Sequence, residues 1–413
     1  MAFTIMEGGP PPRTSAGECL LNGGWPKEAL PILEKELADN PVNWAVWNNL
    51  GICHKYLGNY EKSIQCLEKS FELNPSIVQS RHNLAMVYEE MGNFELALKH
   101  YVTAACYCQN ENSQYGMAIC LLRSRRYDVV KEIWEQSRLA KHSAVLVPNL
   151  QVWRGQDLRG KKLLVIREGG FGDIFWQLRY LRVLKDRGAH ITFFSFKAQK
   201  SILDGHPWID ALMTMDEQVN EQEFDYQIPL WSIMMELRQL GVEIPLGMDA
   251  PYIQVRETLK GHVGLQVGIC WKAGEILSVH RPMRAIQDEY LPEFAKVPVD
   301  WVSLIPGEKP DWCVGGIEKG ADWKRTAEVI AGLDLVVSAD TGVAHLAGAM
   351  MKPTIVFTPV NTPWFYFDEG DKSSWYPSWT VVRNSEPVSF KPAVEEIVAR
   401  LTKWVDARTE VLA

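Results

Sequence analysis

The chain has 413 residues, 46% hydrophobic and 23% charged. That length supports two or three domains with full-sized cores, and the composition excludes both a disulfide-stapled miniprotein and a globally disordered chain. Its 43 basic and 51 acidic side chains leave a formal charge of −8, and neither the first 150 residues nor the remainder is basic. Direct nucleic-acid binding is therefore not expected, because neutralising phosphates takes a concentrated positive surface.

The N-terminus, MAFTIMEGGPPPRT, has neither the basic start nor the apolar stretch of a secretion signal, and no long uncharged apolar run follows anywhere. This predicts a cytoplasmic protein with no membrane span. Six of the eight cysteines (Cys19, Cys53, Cys66, Cys106, Cys108, Cys120) fall in the first 120 residues without CxxC spacing, and read as small helix residues in a reducing compartment.

Within this first part Gly24, Gly58 and Gly92 are 34 residues apart, as are Ala29, Ser63 and Ala97, and Pro41 and Pro75 share the step. A 34-residue period with small residues at fixed places predicts stacked helix-turn-helix units. The segment Trp44 to Ile77, with Trp47, Leu50, Gly51, Gly58, Tyr60, Leu67 and Pro75, resembles the tetratricopeptide repeat. Copies run from Pro10 to Asn43 and from Val78 to Asn110, with a degraded one through Tyr127, Trp134 and Ser137, so repeats fill residues 10–142. Such stacks present a groove for peptides or other domains. Asn48, Asn49, His82 and Asn83 are candidates to line it, or simply part of a solvated helix face.

After Pro148 the pattern changes to short β-branched or aromatic runs separated by helices. KKLLVI (161–166) reads as a strand, GGFGD (169–173) as a glycine turn, Ile174 to Arg187 as a helix and His190 to Phe196 as the next strand. This is the opening of a doubly wound sheet. A second sheet begins at Val267 to Trp271, continues through Trp301 to Ile305, Leu335 to Ser338 and Thr354 to Phe357, and closes with a helix over Ala393 to Val405.

The glycine turn offers backbone N–H groups and a helix start to an anion or a polar sugar. Its spacing is not the dinucleotide fingerprint, and no acidic residue ends the second strand, which argues against a nicotinamide cofactor. Asp173 reads either as a helix cap or as a catalytic carboxylate. In DLVVSADTGVAHLAGAMMKPTIVFTP (334–359) a strand ends at Ser338, and Asp340, Thr341 and Gly342 open a helix that carries His345 one turn in. The alternatives are a ligand site at the C-terminal edge of the sheet, or a capping Asp with a buried His.

This last stretch is similar to the nucleotide-sugar motif of the heptosyltransferase-like glycosyltransferases. Residues 151–180, VGICWKAG at Val267 and SSWYPSWTVVRN at Ser373 resemble, in the same order, other parts of the branch that carries N-terminal tetratricopeptide repeats. The resemblance implies an α-solenoid followed by two facing Rossmann-like domains of the glycosyltransferase B fold: an acceptor side at 151–255 and a donor side at 262–413. It implies that Asp173 deprotonates the acceptor hydroxyl, and that Gly170, Gly172, Asp340, Thr341, Gly342 and His345 belong to the donor site. Lys272 and Arg281, with Arg284 as an interchangeable alternative, would meet the phosphates, and Glu308 the ribose. Ile174 and Trp176 depart from the family, standing where threonine and glutamine are common.

No DxD motif occurs, so neither a metal nor a cofactor is expected, the nucleotide sugar being substrate. Trp364, Trp375 and Trp379 are expected near the cleft mouth, as sugar-stacking candidates. The activity implied is inverting, metal-independent sugar transfer to a protein or glycan acceptor selected by the repeats. The alternatives are a non-catalytic interaction protein with a degenerate or ligand-sensing α/β half, and a nucleotide-sugar epimerase on the same plan.

Overall fold

The computed structural model describes residues 15–76, 78–108, 111–142, 146–214, 216–256, 264–273, 285–360, 363–366, 370–386 and 389–412. The described chain forms two compact units that divide at Met117/Ala118. The first is helical: α1 (Ala16–Asn22), α2 (Pro26–Asp39), α3 (Trp44–Tyr56), α4 (Tyr60–Leu73), α5 (Val78–Glu90), α6 (Phe94–Cys108) and the start of α7 (Glu111–Arg123).

The 34-residue period has a direct geometric cause. Gly24, Gly58 and Gly92 close the α1–α2, α3–α4 and α5–α6 turns at φ 82°, 75° and 77°, a left-handed conformation that glycine adopts without strain. Ala29, Ser63 and Ala97 are wholly buried where paired helices cross. A Cβ on Gly51 would lie 2.5 Å from Leu67 Cγ, and one on Gly17 2.7 Å from Leu33, so the absence of a side chain is what lets each pair close. Three of the four polar residues offered as groove candidates make hydrogen bonds between helices of the stack. Asn48 Oδ1 accepts from Asn83 Nδ2 at 2.9 Å and from Ser80 Oγ at 3.3 Å, and His82 Nδ1 lies 2.9 Å from Ser113 Oγ. They tie neighbouring repeats together.

The second unit opens with α8 (Tyr127–His142). A first α/β layer follows: β1 (Lys162–Ile166), α9 (Phe171–Asp186), β2 (His190–Ser195), α10 (Lys200–Leu203), β3 (Ala211–Thr214), β4 (Tyr226–Pro229) and α11 (Leu230–Gln239). A second comprises β5 (Gln266–Cys270), β6 (Asp300–Ser303), β7 (Gly315–Gly316), α12 (Trp323–Gly332), β8 (Leu335–Ala339), α13 (Gly342–Ala349), β9 (Thr354–Thr358), β10 (Trp379–Arg383) and α14 (Lys391–Leu412). Both sheets are wholly parallel, ordered β3-β2-β1-β4 and β10-β9-β8-β5-β6-β7. The second is the doubly wound order, and the first is its opening half. This is the predicted solenoid followed by two Rossmann-like sheets. The strands β5, β8 and β9 are buried along their whole length, as expected for a sheet covered by helices on both faces.

One boundary differs with consequence. The helix expected from Ile174 begins at Phe171, because Gly170 takes the N-cap position and Asp173 Oδ2 reaches back to accept from the Gly170 N–H at 2.7 Å. Asp173 thus sits in the first helical turn, not at its cap. No described helix is long and apolar enough to cross a membrane.

The last repeat helix is built into the α/β unit. Trp134 is 2% exposed, with its ring centroid 5.7 Å from Trp231 of α11. Lys131 Nζ pairs with Glu236 at 2.8 Å, and Arg154 Nη1 reaches both Glu135 and Glu236. Arg138 is buried against Glu168. A chain beginning at Leu150 would take Arg138 away from Glu168 and uncover the apolar face of Trp231. Such a chain is expected to melt well below one beginning at Glu111; equal melting midpoints by circular dichroism would show that α8 adds nothing to the unit.

A pH dependence follows from His100. Its Nδ1 lies 3.2 Å from Arg81 Nη1, and burial, reinforced by that guanidinium, pushes its pKa from 6.5 down to about 4. The unfolded chain then binds the proton first, so the stability this ring contributes is complete above pH 6.5 and drains away as the pH falls towards 4. His100→Gln should flatten the dependence of the melting midpoint on pH across that window, and identical slopes in the two proteins would contradict the assignment.

Candidate functional site

In an open parallel sheet, ligands bind beyond the strand C-termini where the winding order reverses. In the second sheet this point lies between β5 and β8, whose register pairs Cys270 with Ser338. Lys272 follows β5, and Asp340 and Thr341 follow β8. Thr341 is the N-cap of α13 but does not cap it with its side chain. Its hydroxyl turns back to Ser338 Oγ at 3.3 Å and Cys270 Sγ at 3.7 Å. Across the edge, Lys272 Nζ pairs with Glu308 Oε2 at 2.7 Å, both side chains being more than a third exposed. The fold thus brings together Lys272, Glu308 and Thr341. Arg281, like Arg284, lies outside the described residues.

From the first sheet, the turn after β1 meets the same place. Gly169 adopts φ 70° and Gly170 is exposed. At Gly172 a Cβ would stand 2.8 Å from His345 Cδ2, 3.3 Å from Gly342 Cα and 3.4 Å from Gly342 N. The starts of α9 and α13 are therefore in backbone contact, and half-buried Asp173 lies in the turn that makes it. Gly342 has a second neighbour that sequence reasoning missed: a Cβ there would meet the Trp323 ring at 2.6 Å. That indole bridges to α9, with centroids 5.2 Å from Phe171 and 5.1 Å from Phe175.

His345 and Asp340 lie behind this junction, 5% and 7% exposed. Asp340 Oδ1 accepts from the Tyr366 hydroxyl at 2.9 Å and faces His345 Nε2 at 3.4 Å, while His345 Nδ1 lies 3.2 Å from the Tyr376 hydroxyl. The chain of polar contacts continues to the Tyr252 hydroxyl at 3.4 Å and to Arg179 Nη2, 3.1 Å further on. Arg179 is wholly buried and also donates to the carbonyls of Trp375 at 2.6 Å and Leu246 at 3.1 Å. Desolvation holds the Tyr376 hydroxyl well above its usual pKa, so it is neutral and able to donate. A basic residue among the apolar inward positions of α9 is the signal that could have pointed to Arg179.

The tryptophans expected at the cleft mouth are instead core. Trp364, Trp375 and Trp379 are 4%, 1% and 5% exposed. Trp176 joins them, its centroid 4.7 Å from Trp375, 5.7 Å from Trp364 and 5.0 Å from Trp231. Ile174 and Trp176, which stand where the resemblance leads one to expect threonine and glutamine, are both buried. A surface hollow lined by Asp157, Arg159 and Arg187 lies at the opposite edge of the first sheet, away from all these groups.

Residues 44–105 match the tetratricopeptide repeat, and residues 322–386 match glycosyltransferase family 9 (heptosyltransferase). Among curated proteins it is similar to protein FlbA of Caulobacter vibrioides, 24% identical over 309 residues that cover 64% of this chain and 50% of that protein. The chain thus spans about half the length of the relative it matches. Among solved structures it is similar to MamA (16% identity, TM-score 0.28, 29% of this chain and 71% of that one). It is also similar to a thermophilic tetratricopeptide repeat protein of Thermus thermophilus (16% identity, TM-score 0.28, 30% of this chain and 69% of that one).

Within the family 9 match fall Trp323, the Asp340 to His345 helix start and the buried aromatic group of Trp364 to Tyr376; Asp173, Lys272 and Glu308 lie outside it. The contact between this family 9 segment and α9 sets the effect of one small change. Alanine favours a helix over glycine by about 1 kcal/mol, but a methyl at Gly172 must displace His345 and the Gly342 backbone, and overpacking costs about 1–3 kcal/mol. Gly172→Ala is therefore expected to lower stability in denaturant titrations; a stabilised variant would mean that the two helix starts separate easily.

Proposed function

We propose that the chain is a glycosyltransferase that moves a sugar from a nucleotide-sugar donor to a protein or glycan acceptor, with inversion and without a metal. The observation that carries this reading is the meeting of Gly172, next to Asp173 in the first turn of α9, with Gly342 and His345 of α13. Inverting transfer needs a base beside the acceptor hydroxyl and stabilisation of the charge that develops on the departing diphosphate. Asp173 supplies the base. The α13 start, uncapped by its own threonine side chain, and the Lys272 ammonium supply the anion site.

Glu308 holds Lys272 in place until a donor arrives and then turns to the ribose hydroxyls. Asp340 and His345, being buried, anchor the helix start from behind rather than touching the donor. The absence of a DxD motif in the sequence is the reason for reading the chemistry as metal-independent. The repeats would select the acceptor. Seven of the eight cysteines (Cys19, Cys53, Cys66, Cys106, Cys120, Cys270 and Cys313) are free thiols, which suits the cytoplasm.

A second reading, a non-catalytic interaction protein whose α/β half only senses a ligand, draws support from the burial of Asp340 and His345 and from the apolar Ile174 and Trp176. One experiment separates the two. Asp173→Asn preserves shape and still accepts from Gly170 but cannot take a proton, so sugar transfer should fall roughly 100-fold or more with little change in donor affinity. Nucleoside diphosphate should raise the melting temperature of both proteins, less so after Lys272→Ala, and EDTA should leave the rise intact. Transfer by Asp173→Asn at the unmodified rate would remove Asp173 as base, and a failure of every nucleotide to protect would favour the second reading.

A further inference from the structure

Asp173 is held by a turn that is itself held from elsewhere. Its carboxylate accepts from the Gly170 N–H, and the positive φ of Gly169 brings that backbone against the same oxygen. The residue before this turn is Glu168, 4% exposed, two positions past the end of β1. Both its oxygens are engaged: Oε2 accepts from the Trp231 N–H at 3.0 Å, in the first turn of α11, and Oε1 from the Arg138 guanidinium. Arg138 is 2% exposed and also donates from Nη2 to Ser232 Oγ at 2.7 Å. This cluster fills the reversal point of the first sheet, between β1 and β4, where a parallel sheet would ordinarily receive a ligand. A side chain from the last repeat helix occupies it.

Buried ion pairs of this kind contribute little net stability, since apolar replacements of the same volume are often as stable or more so. Their geometry is specific, because a planar guanidinium bonding two partners fixes both. We propose that Arg138 is a positioning residue: through Glu168 it sets the glycine turn, and thereby the carboxylate of Asp173, for proton abstraction from the acceptor. The final repeat helix is then part of the acceptor-side machinery. This rests on Asp173 being the base, as proposed above, and extends that reading to a residue that acts through Glu168.

The test uses the full chain with Arg138→Lys, Arg138→Met and the double variant Arg138→Met/Glu168→Gln, which leaves no unpaired buried charge. Two readouts are taken on every variant that melts cooperatively. In sugar transfer, the double variant should lose about tenfold or more in kcat with donor KM within about twofold, because a small misplacement of a reacting group costs rate rather than binding. Its acid limb should move to higher pH as the Gly170 N–H bond that favours the carboxylate weakens, and Arg138→Lys should recover part of both. In amide hydrogen exchange, Gly170 should exchange about tenfold faster in the double variant.

Unchanged kcat and acid limb, with unchanged Gly170 exchange, would overturn the proposal. Loss of kcat without movement of the acid limb or of Gly170 exchange would also overturn it, since the loss would then not pass through the turn that holds Asp173. If the unmodified protein transfers no sugar from any nucleotide donor, the proposed function fails. Exchange at Gly170 still decides the clamp in that case, faster exchange supporting it and unchanged exchange refuting it.

Discussion

The α/β unit depends on the approach of two helix starts, one from each sheet. Gly172 of α9 lies against Gly342 and His345 of α13 so closely that a single methyl would collide with both. Parallel sheets direct their helix N-termini to the C-terminal edge, so this contact brings two partial positive charges and one carboxylate, Asp173, to the same place. Everything else assigned to the site is arranged around it. Lys272 and Glu308 border it, and Trp323 leans on Gly342 from the side.

Holding two backbones together at one point takes support on a larger scale. The aromatic group of Trp134, Trp176, Trp231, Trp364 and Trp375 supplies buried area, at roughly 25 cal/mol for each Å² of apolar surface removed from water. It is not directional. The polar chain from Asp340 through His345, Tyr376 and Tyr252 to Arg179 is directional, because each buried group in it must keep its partner or lose about 1–3 kcal/mol. Apolar mass fixes how tightly α9 sits against Trp364 and Trp375, and hydrogen bonds fix the register. Sliding α9 along its neighbours would break Arg179 away from the Trp375 and Leu246 carbonyls.

Features with a strict local rule could be read from the sequence. The 34-residue period was legible because each repeat needs a left-handed glycine in the same turn and a small residue at the same crossing. The strands β1, β2, β5, β6, β8 and β9 were legible as β-branched or aromatic stretches, but β3, β4, β7 and β10 were not, being two to five residues long and set by neighbours distant in sequence. Gly172 and Gly342 stood out as glycines, yet sequence could not say that each one's obstacle is a ring, His345 for one and Trp323 for the other. Arg138 and Glu168 escaped altogether. A pair 30 residues apart, one in a repeat and one after a strand, has no pattern in either element, and its meaning comes only from packing. The tryptophans misled for a related reason: a large amphipathic ring suits a sugar platform and a buried interface equally well.

The integration of α8 into the α/β unit divides the repeats into two evolutionary kinds. In a solenoid each unit touches only its neighbours, so units can be duplicated, lost or exchanged by recombination at little cost to those beyond. That freedom belongs to α1 to α6. It ends at Tyr127–His142, where Trp134 and Arg138 answer to α11 and Glu168 rather than to the repeat consensus. The helix has kept its place in the series while losing its interchangeability. Related chains could therefore differ widely in the number of leading repeats, and still be constrained, residue by residue, in the last one.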